Sequence, residues 1–554
     1  MDKIIKEDIL KKGFPINKIK FRFPPEPNGY LHIGHAKAIY LNFQLGEKYK
    51  APVYLRFDDT NPIGEEKKFI DSIKKDILFL GFKWDYESYA SDYFHKLYEW
   101  AVKLIKKNKA YVDHHSKETI QFQKKTPLEY GINSNHRNRS ISDNLYLFEK
   151  MKNGFFEEGS CVLRAKIDMR SPNMNLRDPI MYRILKKKHH RTGTQWCIYP
   201  TYDWTHGQCD YIEQISHSLC SLEFENRRPL YNWYLDQICE KNKIRPKQIE
   251  FSRLNLSQTI TSKREIQFLI EKKMIQSWDD PRILTISGLR RRGYTPTAIK
   301  NFIQEVGISK RNNIINTSLL EFKIREHLNK IAPRVMVVLH PVRLVIDNYS
   351  NLTEWVHAEN NPENKKFGFR KIPFSKFLYI EKYDFLEKKR KKFFRLSIGN
   401  EVRLKNAYII KANYLVKDSQ GKIIEIHCSY DPKSKSGKKE KVEEKKRVKS
   451  TLHWVSINHS IPIKIHLYHP IFLDRNPNIE NLKKHINKKE TVEKIVAYAE
   501  PTLNQAKKGD HFQFQRIGYF YADIDATNKE KLIFNKTVSI KDKWKKIQNS
   551  NNND

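Results

Sequence analysis

Between residues 17 and 82 the hydrophobic period alternates between two and 3.6, and that alternation narrows the possible folds more than any other feature. "NKIKFRFP" alternates apolar and charged residues up to Pro24, as a strand ending at a breaker does. From Ile33 "IGHAKAIYLNFQLGEKY" is helical in pattern, and "APVYLRFDDTNP" reads as a second strand ending in a turn. "EEKKFIDSIKKDILFLGF" is an amphipathic helix with apolar residues at 69, 73, 77, 78 and 80 and Gly81 as its candidate C-cap. Strand, helix, strand, helix predicts a parallel α/β unit. In such sheets ligands lie beyond the carboxyl ends of the strands. Two sequences stand there: "RFPPEPNGYLHIGHAK" (22–37) and "FDDTNP" (57–62).

The remaining chain has a different texture. Residues 101–200 hold a polar loop, "KKTPLEYGINSNHRNRS", and a β-like run, "SCVLRAKIDM", and read as an insertion. "CIYPTYDW" and "QIEFSRLNL" look like further strands of the first domain, which resumes over 201–259. Residues 260–331 are helical in period, as in "TPTAIKNFIQEVG" and "SLLEFKIREHLNKI". Over 332–554 short alternating strands dominate, among them "RVMVVLHPVRLVIDN", "EVRLKNAYIIKANYLVKD", "KIIEIHCSY", "IPIKIHLYHPIF" and "HFQFQRIGYFYADI". Many short strands with regular turns predict one or two β-barrels. The run "KSKSGKKEKVEEKKRVKS" (433–450) is a solvated loop or an RNA-facing one. No internal repeat is visible.

At 554 residues the chain exceeds one core. Its formal charge of +39 points to a polyanionic partner, because phosphates reward clustered Lys and Arg through counterion release. Lys-, Asn- and Ile-rich composition of the kind AT-rich coding produces accounts for a share of that excess. The six cysteines (161, 197, 209, 220, 239, 428) form no CxxC pair, which argues against a disulfide framework and a structural zinc site. No run approaches the roughly 18 apolar residues of a membrane span. The expectation is a soluble, cytoplasmic protein of a reducing compartment.

His32 and His35 stand three apart at the start of a helix, so both imidazoles can share one face. A metal reading needs a third ligand that "HIGH" does not supply. A phosphate reading fits better: a helix N-terminus offers unpaired N–H groups and the favourable dipole end to an anion. The imidazoles can donate to the oxygens of a phosphorus centre as charge builds on them, and Gly34, lacking Cβ, lets an adenine lie against the backbone. In "ITSKR", Lys263 can reach a triphosphate as a mobile charge.

Together these motifs resemble the two signatures of class I aminoacyl-tRNA synthetases. "RFPPEPNGYLHIGHAKAIYLNF", "LRFDDTNP", "LRAKIDM", "CIYPTYDWTH", "SHSLCSLEF", "EFSRLNL" and "TISGLRRRGYT", in this order, are similar to the glutaminyl-tRNA synthetase family of the bacterial type over nearly the whole chain. The resemblance implies a multidomain α/β + β fold: a Rossmann-like catalytic domain (1–100 and 201–259), an inserted acceptor-stem domain (101–200), a helical connector (260–331) and two anticodon-binding β-barrels (332–554). It implies a monomer that uses ATP with Mg²⁺, glutamine and tRNA-Gln, with no structural metal. His32, His35 and Lys263 are then the catalytic candidates. Glu26, Pro27, Asn28, Ile33, Gly34, Ala36, Lys37, Ala38, Ser221, Arg253, Leu254, Thr261 and Ser262 join them around ATP. Asp58 and Tyr202, with Arg22, Cys220 and Gln248 nearby, match the glutamine site; without the resemblance Asp58–Asp59 reads as a turn pair and Tyr202 as a half-buried aromatic. Lys310, Arg311, Asn313, Arg334, Arg395, Arg403, Lys405 and Arg516 match anticodon positions. Leu128 could wedge against the acceptor end.

Two departures stand out. Thr261 replaces the usual Met before Ser262 and Lys263, and Asn226 stands where relatives often carry an acid. The competing readings are a glutamyl-tRNA synthetase of the archaeal or eukaryotic type, a non-catalytic tRNA-binding paralogue and a small-molecule nucleotidyltransferase. "PPEPNGYLHIGH" and the context of Tyr202 favour glutamine. Retention of both histidines and Lys263 opposes the paralogue, and the long basic β-rich half opposes the nucleotidyltransferase.

Overall fold

The alternation is realised as three parallel strands, β1 (Phe21–Phe23), β2 (Val53–Phe57) and β3 (Tyr86–Tyr89), ordered β1-β2-β3. Helix α1 (Ile33–Tyr49) connects the first two and α2 (Lys67–Phe79) the last two. Phe21, Phe23, Val53, Leu55 and Phe57 are buried on one face, and Arg22 and Arg56 are buried on the other, so both faces of these strands are covered. On α2, Phe69, Ile73 and Ile77 face the core, but Leu78 is 54% exposed. One residue beyond Ile77 is a rotation of about 100°, which carries it off the apolar stripe. Gly81 follows at φ +79°, a left-handed helix end.

The described residues of this computed structural model are 1–310, 313–388, 393–437, 448–472, 487, 490–523 and 532–541. They form two compact units, one of Met1–Asn255, Thr285–Ser287 and Ile303–Ile315, the other of Leu256–Leu284, Gly288–Phe302 and the described residues from Asn316 onward. Within the first unit, β8 (His217–Ser221) and β9 (Lys247–Phe251) run parallel, and Ser216 N–H donates to Lys20 O beside β1.

The insertion is an antiparallel sheet, β4 (Ala110–Asp113), β5 (Val162–Ala165), β6 (Ile180–Ile184) and β7 (Ile198–Pro200), in that order. This corrects one expectation. "CIYPTYDW" is not a strand of the parallel sheet: Ile198–Pro200 closes the inserted sheet against β6, and Tyr202 opens helix α3 (Tyr202–Ile212). Thr201 supplies the extended residue at which the chain turns from strand to helix.

The second unit carries helices Pro296–Val306, in part, and Thr317–Ile331, then two seven-stranded barrel-like sheets. One fills its core with residues such as Phe374, Ile426 and Trp454, the other with Phe514, Phe520 and Phe534. Residues 438–447 of the basic run lie outside the described residues. No helix among the described residues is long and apolar enough to cross a membrane, and the six cysteines are free.

Candidate functional site

The helix start after β1 is closed by its own histidines. His32 is the N-cap of α1, in extended conformation; its Nδ1 accepts from Gly34 N–H (3.0 Å), and His35 Nδ1 accepts from His32 N–H (3.1 Å). An Nδ1 that accepts from a backbone amide places the proton of the neutral ring on Nε2. Burial holds both rings neutral: His35 falls to about 4 through burial and then Arg253, and His32 lies well below its ordinary value through burial, His35 and Arg253. The pair therefore offers two neutral Nε2–H donors beside a helix N-terminus. The space above Gly34 belongs to this device. A Cβ there would stand 2.7 Å from His32 Cε1, so an added methyl displaces the His32 ring from its place over the Gly34 amide.

Around this helix start, Leu254 O lies near Gly34, and Glu223 joins Ser221 Oγ (2.8 Å) to Arg253 (3.0 Å). Pro25 O accepts from Asp58 N–H and Pro27 O from Glu66 N–H, tying the opening loop to the end of β2. Lys37 turns inward: its ammonium bonds Ser252 O (2.9 Å) and Ser252 Oγ (3.2 Å).

The two adjacent aspartates divide their duties. Asp59 takes Ser91 N–H and Ser91 Oγ–H and serves the fold. Asp58 accepts from the hydroxyl (2.9 Å) and the backbone of Thr60, and burial raises its pKa, so a cation brought to it would gain from neutralising it. Tyr202 stacks on His206 (4.8 Å) and lines a small cleft with Phe224 and Gln248. Its hydroxyl is raised above the ordinary range by burial, with Arg22, Cys220, Asp58 and Asp210 as the charges it feels.

Arg22 is wholly buried and already engaged. Nε donates to Asp210 Oδ1 (3.0 Å), Nη1 to Leu219 O (2.7 Å), and Nη2 to Ser218 Oγ (2.7 Å) and His206 Nε2 (3.1 Å). Asp210 also binds Arg56 Nη2 (2.7 Å) and the Tyr231 hydroxyl (3.0 Å), while Glu213 takes Arg56 Nη1 (2.6 Å). Two guanidinium and two carboxylate charges thus cancel behind the cleft, and His206, pushed down to about 3 by burial, accepts as a neutral ring. The sequence reading missed His206, Asp210 and Glu213. His206 and Asp210 follow Tyr202 at four-residue steps along one face of α3 and Glu213 ends the helix, and that period was the available signal.

In the second unit a cavity of about 560 Å³ is lined by Arg334, Lys405, Gln515, His357 and the exposed rings of Trp355 and Phe369. Lys405 is lowered by burial and then by Arg334, Arg370 and Arg516, so several cations converge there.

Residues 18–330 match the family described as tRNA synthetases class I (E and Q), catalytic domain. Residues 332–431 and 451–523 match its two anti-codon binding domains. A glutamine–tRNA ligase of Clostridium kluyveri is 47% identical over 99% of this chain and 98% of its own length. Those of Nitrosomonas europaea and Escherichia coli O1:K1 are 48% and 47% identical, each over 98% of this chain and 98% and 97% of their own lengths. This chain belongs to the glutamine–tRNA ligase family.

For a glutamine–tRNA ligase the predicted residues sort unevenly. The structure brings His32, Gly34, His35, Ser221, Arg253 and Leu254 together, and sets Asp58, Arg22 and Cys220 around Tyr202. Ser262 and Lys263 cap and open helix Lys263–Glu271 of the second unit, both exposed. Lys310 and Asn313 fall in the first unit, where Lys310 lies near the α-amino group of Met1; Arg311 lies outside the described residues. Arg395 and Arg516 share the buried Asp384, and Arg403 is bonded to Ser434 O (2.7 Å). Trp355, Phe369, Arg370 and Gln515 were not singled out from sequence; a polar strand face interrupted by large rings was their signal.

Proposed function

We propose that this chain joins glutamine to tRNA-Gln through a glutaminyl-adenylate. The glutamine carboxylate attacks the α-phosphorus of ATP and the α–β bond breaks, releasing pyrophosphate. The terminal ribose hydroxyl of tRNA then takes the acyl group and AMP departs. The first nucleophile is already an anion, so the protein's task is positioning and charge stabilisation. The neutral pair His32 and His35 donates from Nε2 as charge builds on the phosphate, and Lys263 supplies a mobile cation. Mg²⁺ arrives with ATP as part of the substrate. Asp58 receives the substrate ammonium, and the Tyr202 hydroxyl meets the side-chain amide. The cavity at Arg334 and Lys405 takes an unpaired anticodon base, stacked on Trp355 or Phe369. Residues 101–200 hold the acceptor end, with Leu128 at the first base pair.

One observation carries the reading: the reciprocal capping of His32 and His35, which holds two neutral donors at a helix N-terminus. Charge balance around Arg22 favours an uncharged side chain over a carboxylate, hence glutamine over glutamate. The test is aminoacylation of tRNA-Gln with each amino acid, with ATP–pyrophosphate exchange measured with and without tRNA. Charging by glutamate alone would overturn the assignment.

A further inference from the structure

We infer that the inserted sheet carries a site for one divalent transition-metal ion, built from Asp113, His115 and His136. Asp113 ends β4 and is fully buried; its Oδ1 lies 3.1 Å from His115 Nδ1 and 3.0 Å from His136 Nδ1. One ligand atom from each residue lies within 4.8 Å of the other two. Donors about 2.0–2.1 Å from a tetrahedral zinc stand about 3.3 Å apart, so the carboxylate–imidazole separations already match the edges of such a site.

The hydrogen bonds point the same way. Asp113 is held from the far side, where the buried Arg164 takes Oδ2 (2.6 Å), while Oδ1 accepts from His115 N–H (3.1 Å) and faces both imidazoles. Each Nδ1 is caught between opposed demands. His136 Nδ1 faces the carboxylate but also the His114 N–H (3.4 Å). His115 Nδ1 faces the same carboxylate, the Gln123 amide nitrogen (3.2 Å) and the Ser134 hydroxyl (3.2 Å). A proton on either nitrogen serves Asp113 and opposes the second donor; its absence sets lone pairs against the carboxylate. A cation at the convergence takes the lone pair of each Nδ1 together with the carboxylate charge, displacing the His114 and Gln123 donors. Two imidazoles and one carboxylate suit Zn²⁺, Co²⁺ or Ni²⁺ and not the oxygen-seeking Mg²⁺ or Ca²⁺. The histidine side chains are 22% and 28% exposed, which gives the ion a way in and leaves a position for water.

A second cluster, Asp59, His189 and His190, lacks this property. His189 Nε2 already donates to Asp59 O (2.8 Å), and its Nδ1 accepts from Arg191 and Thr192 N–H, so neither nitrogen is open to an ion. The cysteine spacing could not reveal the first cluster, because its ligands come from a strand end and a loop 23 residues apart. Bound metal ties that loop, which bears the 97% exposed Leu128, back to the sheet.

The experiment titrates tag-free, chelator-stripped full-length protein with Zn²⁺ alone, in competition with a chromophoric indicator. One equivalent per chain is expected, and His115→Gln with His136→Gln should weaken it by more than the roughly 10–100-fold that outer-shell partners cost. No stoichiometric binding, or an equivalent retained by the double variant, overturns the site. Should that variant misfold by circular dichroism, anomalous scattering at the zinc edge on wild-type crystals decides. A peak bridging Asp113, His115 and His136 supports the inference, and a peak elsewhere or none overturns it.

Discussion

Asp210 Oδ1 lies 3.0 Å from Nε of Arg22, and both side chains are completely removed from solvent. Burial alone would raise the Asp210 carboxyl, yet Arg22 and Arg56 hold it well below the ordinary carboxylate range. Asp210→Asn therefore leaves two buried guanidinium groups with only Glu213 as counter-charge. Breaking a buried pair by removing one partner costs about 3–5 kcal/mol, which thermal unfolding should register as a lowered Tm. The same variant releases Arg22 toward the cleft. The ratio of kcat/KM for glutamine over glutamate should fall, with KM for ATP unchanged. An unchanged ratio would mean that Arg22 plays no part in choosing the amino acid.

Gly34→Ala tests whether the histidine pair works as one device. The new methyl lies 2.7 Å from His32 Cε1, so the ring must leave the Gly34 amide. Loss of one preorganised donor costs about 10²–10³ in rate, and loss of an N-cap about 1 kcal/mol of stability. Pyrophosphate exchange should fall by that factor while tRNA affinity holds. Equal loss of both would assign the glycine to folding.

Much of this fold is legible in the sequence. The parallel strands follow from the period of the first 82 residues, and "HIGH" falls where a helix begins. Local readings failed where tertiary partners decide. "CIYPTYDW" is as apolar as a parallel strand, yet β6 recruits only its first half. Lys37 is placed around ATP by resemblance, whereas its ammonium is bonded to Ser252. Asp58 and Asp59 are indistinguishable in sequence, and Ser91 engages only the second of them. The partners of Arg22 lie more than 180 residues away along the chain.

The acid side of the stability profile should report the histidines. An unfolded imidazole titrates near 6.5, whereas native His35 is held at about 4 by burial and by Arg253. Between those values the unfolded chain binds the extra proton, so stability rises with pH. The contribution is complete above about 6.5 and is lost as pH falls toward 4. His35→Asn removes it, so Tm of the wild type should drop more steeply than that of the variant from pH 6.5 to 4.5. Parallel curves would place His35 in solvent-like surroundings. The same neutrality predicts no loss of pyrophosphate exchange from this pair between pH 8 and 6.

In the second unit, charge and stacking can be told apart by salt. Lys405 sits among Arg334, Arg370 and Arg516, and a cation so placed binds phosphate through counterion release. Lys405→Ala should weaken tRNA binding and lower the slope of log Kd against log salt by about one. Trp355 is 52% exposed at the rim of the same cavity and carries no charge. Trp355→Ala should cost about 1–3 kcal/mol, the stacking of one base, and leave the salt slope as in the wild type. Both effects belong to KM for tRNA, because neither residue lies in the unit that holds His32 and Tyr202. Binding isotherms at three salt concentrations separate the two, and a slope that changes in Trp355→Ala would show the ring to be a scaffold for the cations instead of a seat for a base.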